Sequence, residues 1–252
     1  MSTLERFAAR GPTARLRPGS RVPRALIDDP RLVVIRQPAS PLAERYRRVR
    51  LNLERGSNSH VTVITSAVPG EGKTTTALNL ALAFAEDRER RTLLVDADLR
   101  RPRVSSYISP GTTLGLADVL SGAVSLDHAL IEMSDSRLWV LPAGAPTATP
   151  LDLLQADALG GLVAELRGRF DRIVIDTPPT VPFTDAAVLS AHADGALLVV
   201  RARATATRLI QKATESLSGT TLLGAVLNDV EFTAVDRYYY GYDDLAPQAV
   251  RD

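Results

Sequence analysis

An α/β fold, with a mostly parallel central sheet covered by helices on both faces, is predicted for this chain by three observations. Apolar, β-branched runs at 61–66, 92–96, 138–141, 172–176, 196–201 and 221–227 read as short strands. Helical stretches near 73–86, 116–131, 156–168, 184–192 and 205–218 fall between them, and such alternation builds a parallel sheet with crossover helices. At the first strand-to-helix junction stands SAVPGEGKTTT, residues 66–76, a spacing that ties the fold to nucleotide phosphate.

The N-terminus precedes this pattern and differs from it. The whole chain of 252 residues is nearly neutral, with 30 basic and 29 acidic residues. Residues 1–50 nevertheless hold twelve arginines against Glu5, Asp28, Asp29 and Glu44, a local balance of +8. Gly, Pro, Ser and Arg are mixed there with little periodicity, so residues 1–38 are expected to form a basic, flexible arm. Such an arm is either a solubilising leader or attracted to an anionic surface.

From Ser40 the sequence SPLAERYRRVRLNLE puts Leu42, Tyr46, Val49 and Leu53 at helical spacing after a cap-like Ser-Pro. An amphipathic helix is expected. Its other face sets Glu44, Arg47 and Arg50 three residues apart, a charge ladder able to lock within the helix or onto a neighbouring copy; spacing alone favours the first.

The strand VTVITS then leads into the phosphate loop, and Leu78, Leu82 and Ala85 mark one face of the helix after it. Strand, glycine-rich loop and helix in this order define a P-loop nucleotide-binding fold. Gly70 and Gly72 let the backbone of Pro69–Gly72 turn its N–H groups onto an anion, helped by the helix N-terminus at Lys73. Lys73 is expected to span the β- and γ-phosphates of ATP, with Thr74 on Mg²⁺ and Thr75 beside it. The chain uses arginine almost throughout, and its two lysines are Lys73 and Lys212. One of them occupies the position a phosphate-binding lysine requires.

Two further strands end in carboxylates. TLLVDAD delivers Asp96 and Asp98, and RIVIDTPP delivers Asp176 before Pro178 and Pro179 stop the strand. Ligands bind at this carboxyl edge of open parallel sheets. Mg²⁺ takes hard oxygen ligands, commonly one or two carboxylates completed by phosphate and water. Thr74, Asp98 and Asp176 are therefore assigned to the metal, and Asp96 is assigned as the base that accepts a proton. Which of the two neighbouring aspartates meets the metal is left open. Strand-end aspartates also cap helices and turns, and the intact phosphate loop is what favours the metal here.

The final strand, LLGAVLN, ends in Asn228, a candidate partner for the adenine edge. Beyond it RYYYGYDD holds Tyr238, Tyr239, Tyr240 and Tyr242, four of the six tyrosines. Consecutive strand side chains alternate faces, so these cannot share one core; a mobile phenol-rich tail is expected. The absence of cysteine excludes a disulfide framework and thiol chemistry. No apolar run approaches the ~20 residues that span a bilayer, and no secretory signal is visible, so a cytoplasmic location is expected.

The set SAVPGEGKTT, LLVDADLRRP and IVIDTPP, with Glu44, Arg47 and Arg50 ahead and a tyrosine cluster behind, resembles the bacterial protein-tyrosine kinases of capsule and exopolysaccharide assembly. The resemblance covers about residues 40–242. In that family Asp-x-Asp-x-Arg is a second nucleotide signature, matched in order by Asp96, Asp98 and Arg100. The resemblance implies a kinase domain over 39–230 with an N-terminal oligomerisation helix, and a substrate tail over 231–252. It implies transfer of the γ-phosphoryl of ATP, with Mg²⁺, to Tyr238, Tyr239, Tyr240 and Tyr242 of the next subunit in a ring whose contacts include Glu44, Arg47 and Arg50. It also implies a transmembrane chain-length regulator as activator, at the inner face of the membrane, and an opposing tyrosine phosphatase. Nucleic acid is not an expected partner.

Two other readings share the phosphate loop. A partitioning or positioning ATPase usually carries a second lysine where Val68 stands, and lacks a tyrosine tail. A nucleotide-binding scaffold would bind ATP without transferring it.

Overall fold

A computed structural model describes residues 20–23, 28–56, 59–108, 114–155 and 157–231. Its centre is an eight-stranded sheet in the order β1-β4-β5-β3-β6-β2-β7-β8. The strands are β1 (Ser20–Pro23), β2 (Val61–Ser66), β3 (Thr92–Asp96), β4 (Ile131–Ser134), β5 (Leu138–Leu141), β6 (Arg172–Asp176), β7 (Gly195–Arg201) and β8 (Leu222–Asn228). All pairings are parallel except β4 with β5. The predicted α/β class and mostly parallel sheet are thus observed.

The central strands are buried along their whole length, as continuous apolar runs require when both faces are covered. Alternate residues serve opposite faces. Ile64, Leu94 and Val174 belong to one core, under α1 (Val33–Arg36), α2 (Pro41–Gly56) and α3 (Lys73–Phe84). Val63, Leu93, Val95, Ile173 and Ile175 belong to the second. That core is covered by α5 (Leu116–Leu120), α6 (Leu126–Ala129), α7 (Pro150–Gln155), α8 (Asp157–Arg169) and α9 (Asp185–Ser190). A short α4 (Val104–Ile108) follows β3, and α10 (Thr207–Ser216) joins β7 to β8. The helix α3 is buried all round rather than on one face, with Thr76 through Phe84 enclosed, because it lies between the sheet and α2.

Two expectations are corrected and a third is extended. The stretch 116–131 is not one helix: Gly122 takes a left-handed φ of 74° after α5, and the chain turns before α6 and β4. The basic arm is not wholly flexible, since β1 pairs with β4, and Leu32, Val33 and Val34 are buried in the core. Three adjacent apolar side chains outweigh the charge around them, so the folded unit begins before residue 39. The charge ladder locks within the helix, as its spacing favours, through Arg47 with Glu44 and Arg50 with Glu54, and it also reaches the neighbouring helix. Arg47 pairs with Glu44 but also with Glu86 beyond the end of α3, at 2.7 Å, and donates to the carbonyl of Pro38 at 2.7 Å. Arg50 donates to the carbonyl of Ala83 at 2.7 Å. Both arginines staple α2 to the end of α3, while the Glu44 side chain stays 60% exposed. Tyr238, Tyr239, Tyr240 and Tyr242 lie outside the described residues.

Candidate active site

The strand order brings β3, β6 and β2 side by side, so the phosphate loop after β2 and the aspartates ending β3 and β6 share one sheet edge. Asp176 is level with Ile64 of β2 on one side and with Asp96 of β3 on the other. Between the loop and these carboxylates opens a cleft of about 590 Å³, lined among others by Gly70, Lys73, Thr74, Asp98, Tyr107 and Phe183.

The loop conformation depends on its glycines. Gly70 and Gly72 have φ of 85° and 89°, a left-handed region closed to most L-residues. At Gly72 a Cβ would also sit 2.1 Å from Nδ2 of Asn228. That amide donates to the carbonyl of Glu71 at 2.9 Å. Asn228, expected at the adenine edge, therefore grips the phosphate loop itself. Pro69, Gly70, Gly72, Lys73, Thr74 and Thr75 all line the cleft.

Glu71, expected among the nucleotide contacts, has its side chain turned inward and 2% exposed. Its carboxylate accepts from the backbone N–H groups of Ala67 at 2.8 Å and Val68 at 3.1 Å, and from the Thr205 hydroxyl. An anionic side chain satisfied by the loop's own amides fixes the loop without competing for phosphate. Nothing in the sequence marked Thr205, which reaches the loop only through the return of β7.

The carboxylates divide into distinct roles. Asp98 faces the cleft: one oxygen lies 3.1 Å from the Lys73 ammonium and the other accepts the Arg101 N–H at 3.0 Å. Asp96 is fully buried and held by three backbone donors, those of Asp98, Arg103 and Val104, at 3.0–3.2 Å. The base role expected of Asp96 does not fit this position, because both of its oxygens already accept from backbone N–H groups. It shapes the loop 97–104 instead. Burial and the neighbouring Asp176 charge push its pKa up to about 8.

Asp176 is also fully buried, and neither of its oxygens has a hydrogen bond of normal geometry. Burial raises its pKa to about 7, although the Lys73 ammonium and Thr74 hydroxyl beside it pull in the other direction. An unsatisfied buried carboxylate is costly, and Asp176 with the Thr74 hydroxyl beside it could hold a divalent cation that would offset that cost. Among the described residues no three acidic or imidazole groups converge to hold a metal by themselves, which suits Mg²⁺ completed by phosphate and water.

Of the cleft walls, only Arg100 carries a mark in the sequence. Arg31 pairs with Asp29 at 2.6 Å and lies 4.4 Å over the Tyr107 ring; the Tyr107 and Thr75 hydroxyls are 3.2 Å apart. Arg31 is carried there by Asn79, whose buried amide donates to the Arg31 carbonyl at 2.9 Å and accepts from the Val34 N–H at 3.2 Å. Arg100 pairs with the fully buried Asp185 at 2.6 Å and lies 4.3 Å over Phe183. A possible signal for Asp185 was its place at the start of α9, nine residues after Asp176.

The AAA domain family matches residues 59–219. Tyrosine-protein kinase YwqD of Bacillus subtilis (strain 168) is 36% identical over 219 residues, covering 84% of this chain and 92% of that protein. The chain belongs to the bacterial tyrosine-protein kinase family. The succinoglycan biosynthesis transport protein ExoP of Rhizobium meliloti (strain 1021) is 33% identical over 214 residues, covering 82% of this chain but 27% of ExoP. Among solved structures, the kinase domain of the Escherichia coli tyrosine kinase ETK superposes with a TM-score of 0.76 at 25% identity, over 93% of this chain and 88% of that one. No described helix is long and apolar enough to cross a membrane.

Proposed function

We propose that this chain transfers the γ-phosphoryl group of ATP to tyrosine hydroxyls, among them Tyr238, Tyr239, Tyr240 and Tyr242 of a neighbouring copy. The carrying observation is the convergence of Lys73, Thr74 and the unsatisfied Asp176 beneath a glycine-shaped loop. The loop amides and Lys73 would bind and orient the triphosphate, and arrival of phosphate would draw Lys73 away from Asp98. Thr74 and Asp176 would hold Mg²⁺, which supplies charge neutralisation at the phosphates. Asp98, freed of Lys73 and facing the cleft, would take the phenol proton as the phenolic oxygen bonds the γ-phosphorus and the bond to ADP breaks. The phosphate loop, with Glu71 and Asn228 bracing it, keeps this geometry in place before substrate arrives.

We infer that a membrane-bound chain-length regulator is the activator of this chain. Modification of several tail tyrosines would gather dianions and loosen an assembly of copies by repulsion.

The test is incubation with labelled ATP and Mg²⁺ followed by mass spectrometry of the tail. Phosphotyrosine is expected in the wild type and absent in Lys73→Met and in the variant with all four tyrosines changed to Phe. Hydrolysis or binding without phosphotyrosine would instead support an ATPase or scaffold.

A further inference from the structure

The cleft has more positive charge than its own residues neutralise. Lys73 is paired with Asp98, Arg31 with Asp29 and Arg100 with Asp185. Arg101 and Arg103 line the same cleft, are exposed, and have no acidic partner among the described residues. Their placement is built rather than incidental. The N–H of Arg101 is held by Asp98 and the N–H of Arg103 by Asp96, so the two carboxylates that shape the site also fix the loop presenting both guanidinium groups.

A second lining segment is apolar. Val181 and Pro182 are exposed and Phe183 is half-buried. This segment is anchored by the N–H groups of Thr180 and Val181, which donate to the carbonyls of Ser66 at 2.8 Å and Ala67 at 3.2 Å. The Arg100 guanidinium over Phe183 joins the two segments. A cleft offering two arginines with no acidic partner among the described residues, beside an apolar ledge, matches a ligand with an aromatic ring followed by carboxylates. In this chain the last tyrosine of the cluster, Tyr242, is followed directly by Asp243 and Asp244.

We propose that Arg101 and Arg103 form an acceptor subsite that selects tyrosines with acidic residues on their C-terminal side, the occupant being residues 238–244 of a second copy. The phenol rests on Val181, Pro182 and Phe183 near Asp98, and the aspartate carboxylates meet the two guanidinium groups. This deepens the kinase reading and rests on it. Arginine suits the task because its planar fork takes carboxylate in two hydrogen bonds.

The experiment uses the full chain with MgATP and two synthetic peptides, one with the sequence of residues 236–244 and one carrying Asp243→Asn and Asp244→Asn. With the wild type, KM for the acidic peptide should be about tenfold lower than for its neutral counterpart, and the gap should narrow as salt rises. In Arg101→Ala/Arg103→Ala the gap should close, while KM for ATP stays unchanged. Equal KM values for the two peptides with the wild type overturn the subsite and leave the kinase reading standing. A rise in the ATP KM of the double variant, with peptide discrimination intact, also overturns it and gives the arginines to the nucleotide. Absence of any phosphotyrosine with the wild type overturns the kinase reading and the subsite together.

Discussion

Asp96 and Asp176 stand directly opposite one another on the parallel strands β3 and β6, both fully buried. Burial raises both above the usual range; the Asp176 charge adds to the rise at Asp96, and the Asp98 charge adds to it at Asp176. Their folded pKa values, about 8 and about 7, exceed the unfolded value of 3.8. The folded, nucleotide-free chain therefore binds more protons than the unfolded chain between about pH 4 and pH 8, and its stability falls as pH rises through that window.

A proton-linked binding step follows from this arrangement. If Asp176 holds the metal as proposed, MgATP should bind more tightly as pH rises towards about 8, because a metal ligand must be ionised, and binding near pH 6.5 should release protons. Calorimetry in buffers of different ionisation enthalpy reads the release directly. Asp176→Asn should abolish it and make the nucleotide-free chain more stable at pH 8. Proton release unchanged in that variant would remove Asp176 from the metal site.

The roles of Asp96 and Asp98 can be separated by substitution. Asp98→Asn should lower kcat by at least about 100-fold with thermal stability near that of the wild type, as removal of a proton acceptor does. Asp96→Asn should act mainly on folding, lowering Tm because an amide cannot accept from all three backbone donors. A large loss of kcat in Asp96→Asn at unchanged Tm would return the base role to Asp96.

At Gly72 strain and contact coincide. Gly72→Ala forces a left-handed φ of 89° on a residue with a Cβ and drives it against Asn228. A cost of about 2 kcal/mol or more is expected, seen as a drop in Tm of roughly 4–8 °C, together with loss of measurable ATP binding. Adding Asn228→Ala should recover part of the Tm and little of the binding, which thermal melts and nucleotide titration can compare.

The Glu71 brace offers a milder perturbation. Thr205→Val removes the hydroxyl donor to the Glu71 carboxylate and should raise KM for ATP about fivefold with little change in kcat, whereas Thr205→Ser should restore it. Identical KM values in all three proteins would show that the loop holds its shape without Thr205.

The staple between α2 and α3 is testable in the isolated chain. Arg47 and Glu86 are only 20% and 30% exposed and their contact is multiply hydrogen-bonded, so a double-mutant cycle with Arg47→Ala and Glu86→Ala should give a coupling of about 1 kcal/mol. The coupling should be independent of protein concentration. Concentration dependence would place the contact between copies.

Most of the architecture was legible because buried parallel strands leave a strong trace. The runs Leu93–Val95 and Ile173–Ile175, which lead into Asp96 and Asp176, are apolar, and Pro178 and Pro179 mark where one stops. β4 left no such trace: its four residues follow a helical pattern directly and gain strand geometry only by pairing with β1 and β5. Likewise LVV at 32–34 sits in arginine-rich sequence, and its burial follows from the Asn79 side chain 45 residues away from Val34.

By itself, the sequence determined where the phosphate loop lies, since Gly70, Gly72, Lys73 and Thr74 stand at short range within one segment between a strand and a helix. Only the tertiary structure decided how the carboxylates divide. Whether an aspartate meets solvent, metal or backbone depends on which strand lies beside it and which loop folds over it. That is why Asp96 and Asp98, two residues apart in sequence, differ in role: the loop 97–104 closes over one and leaves the other beside Lys73.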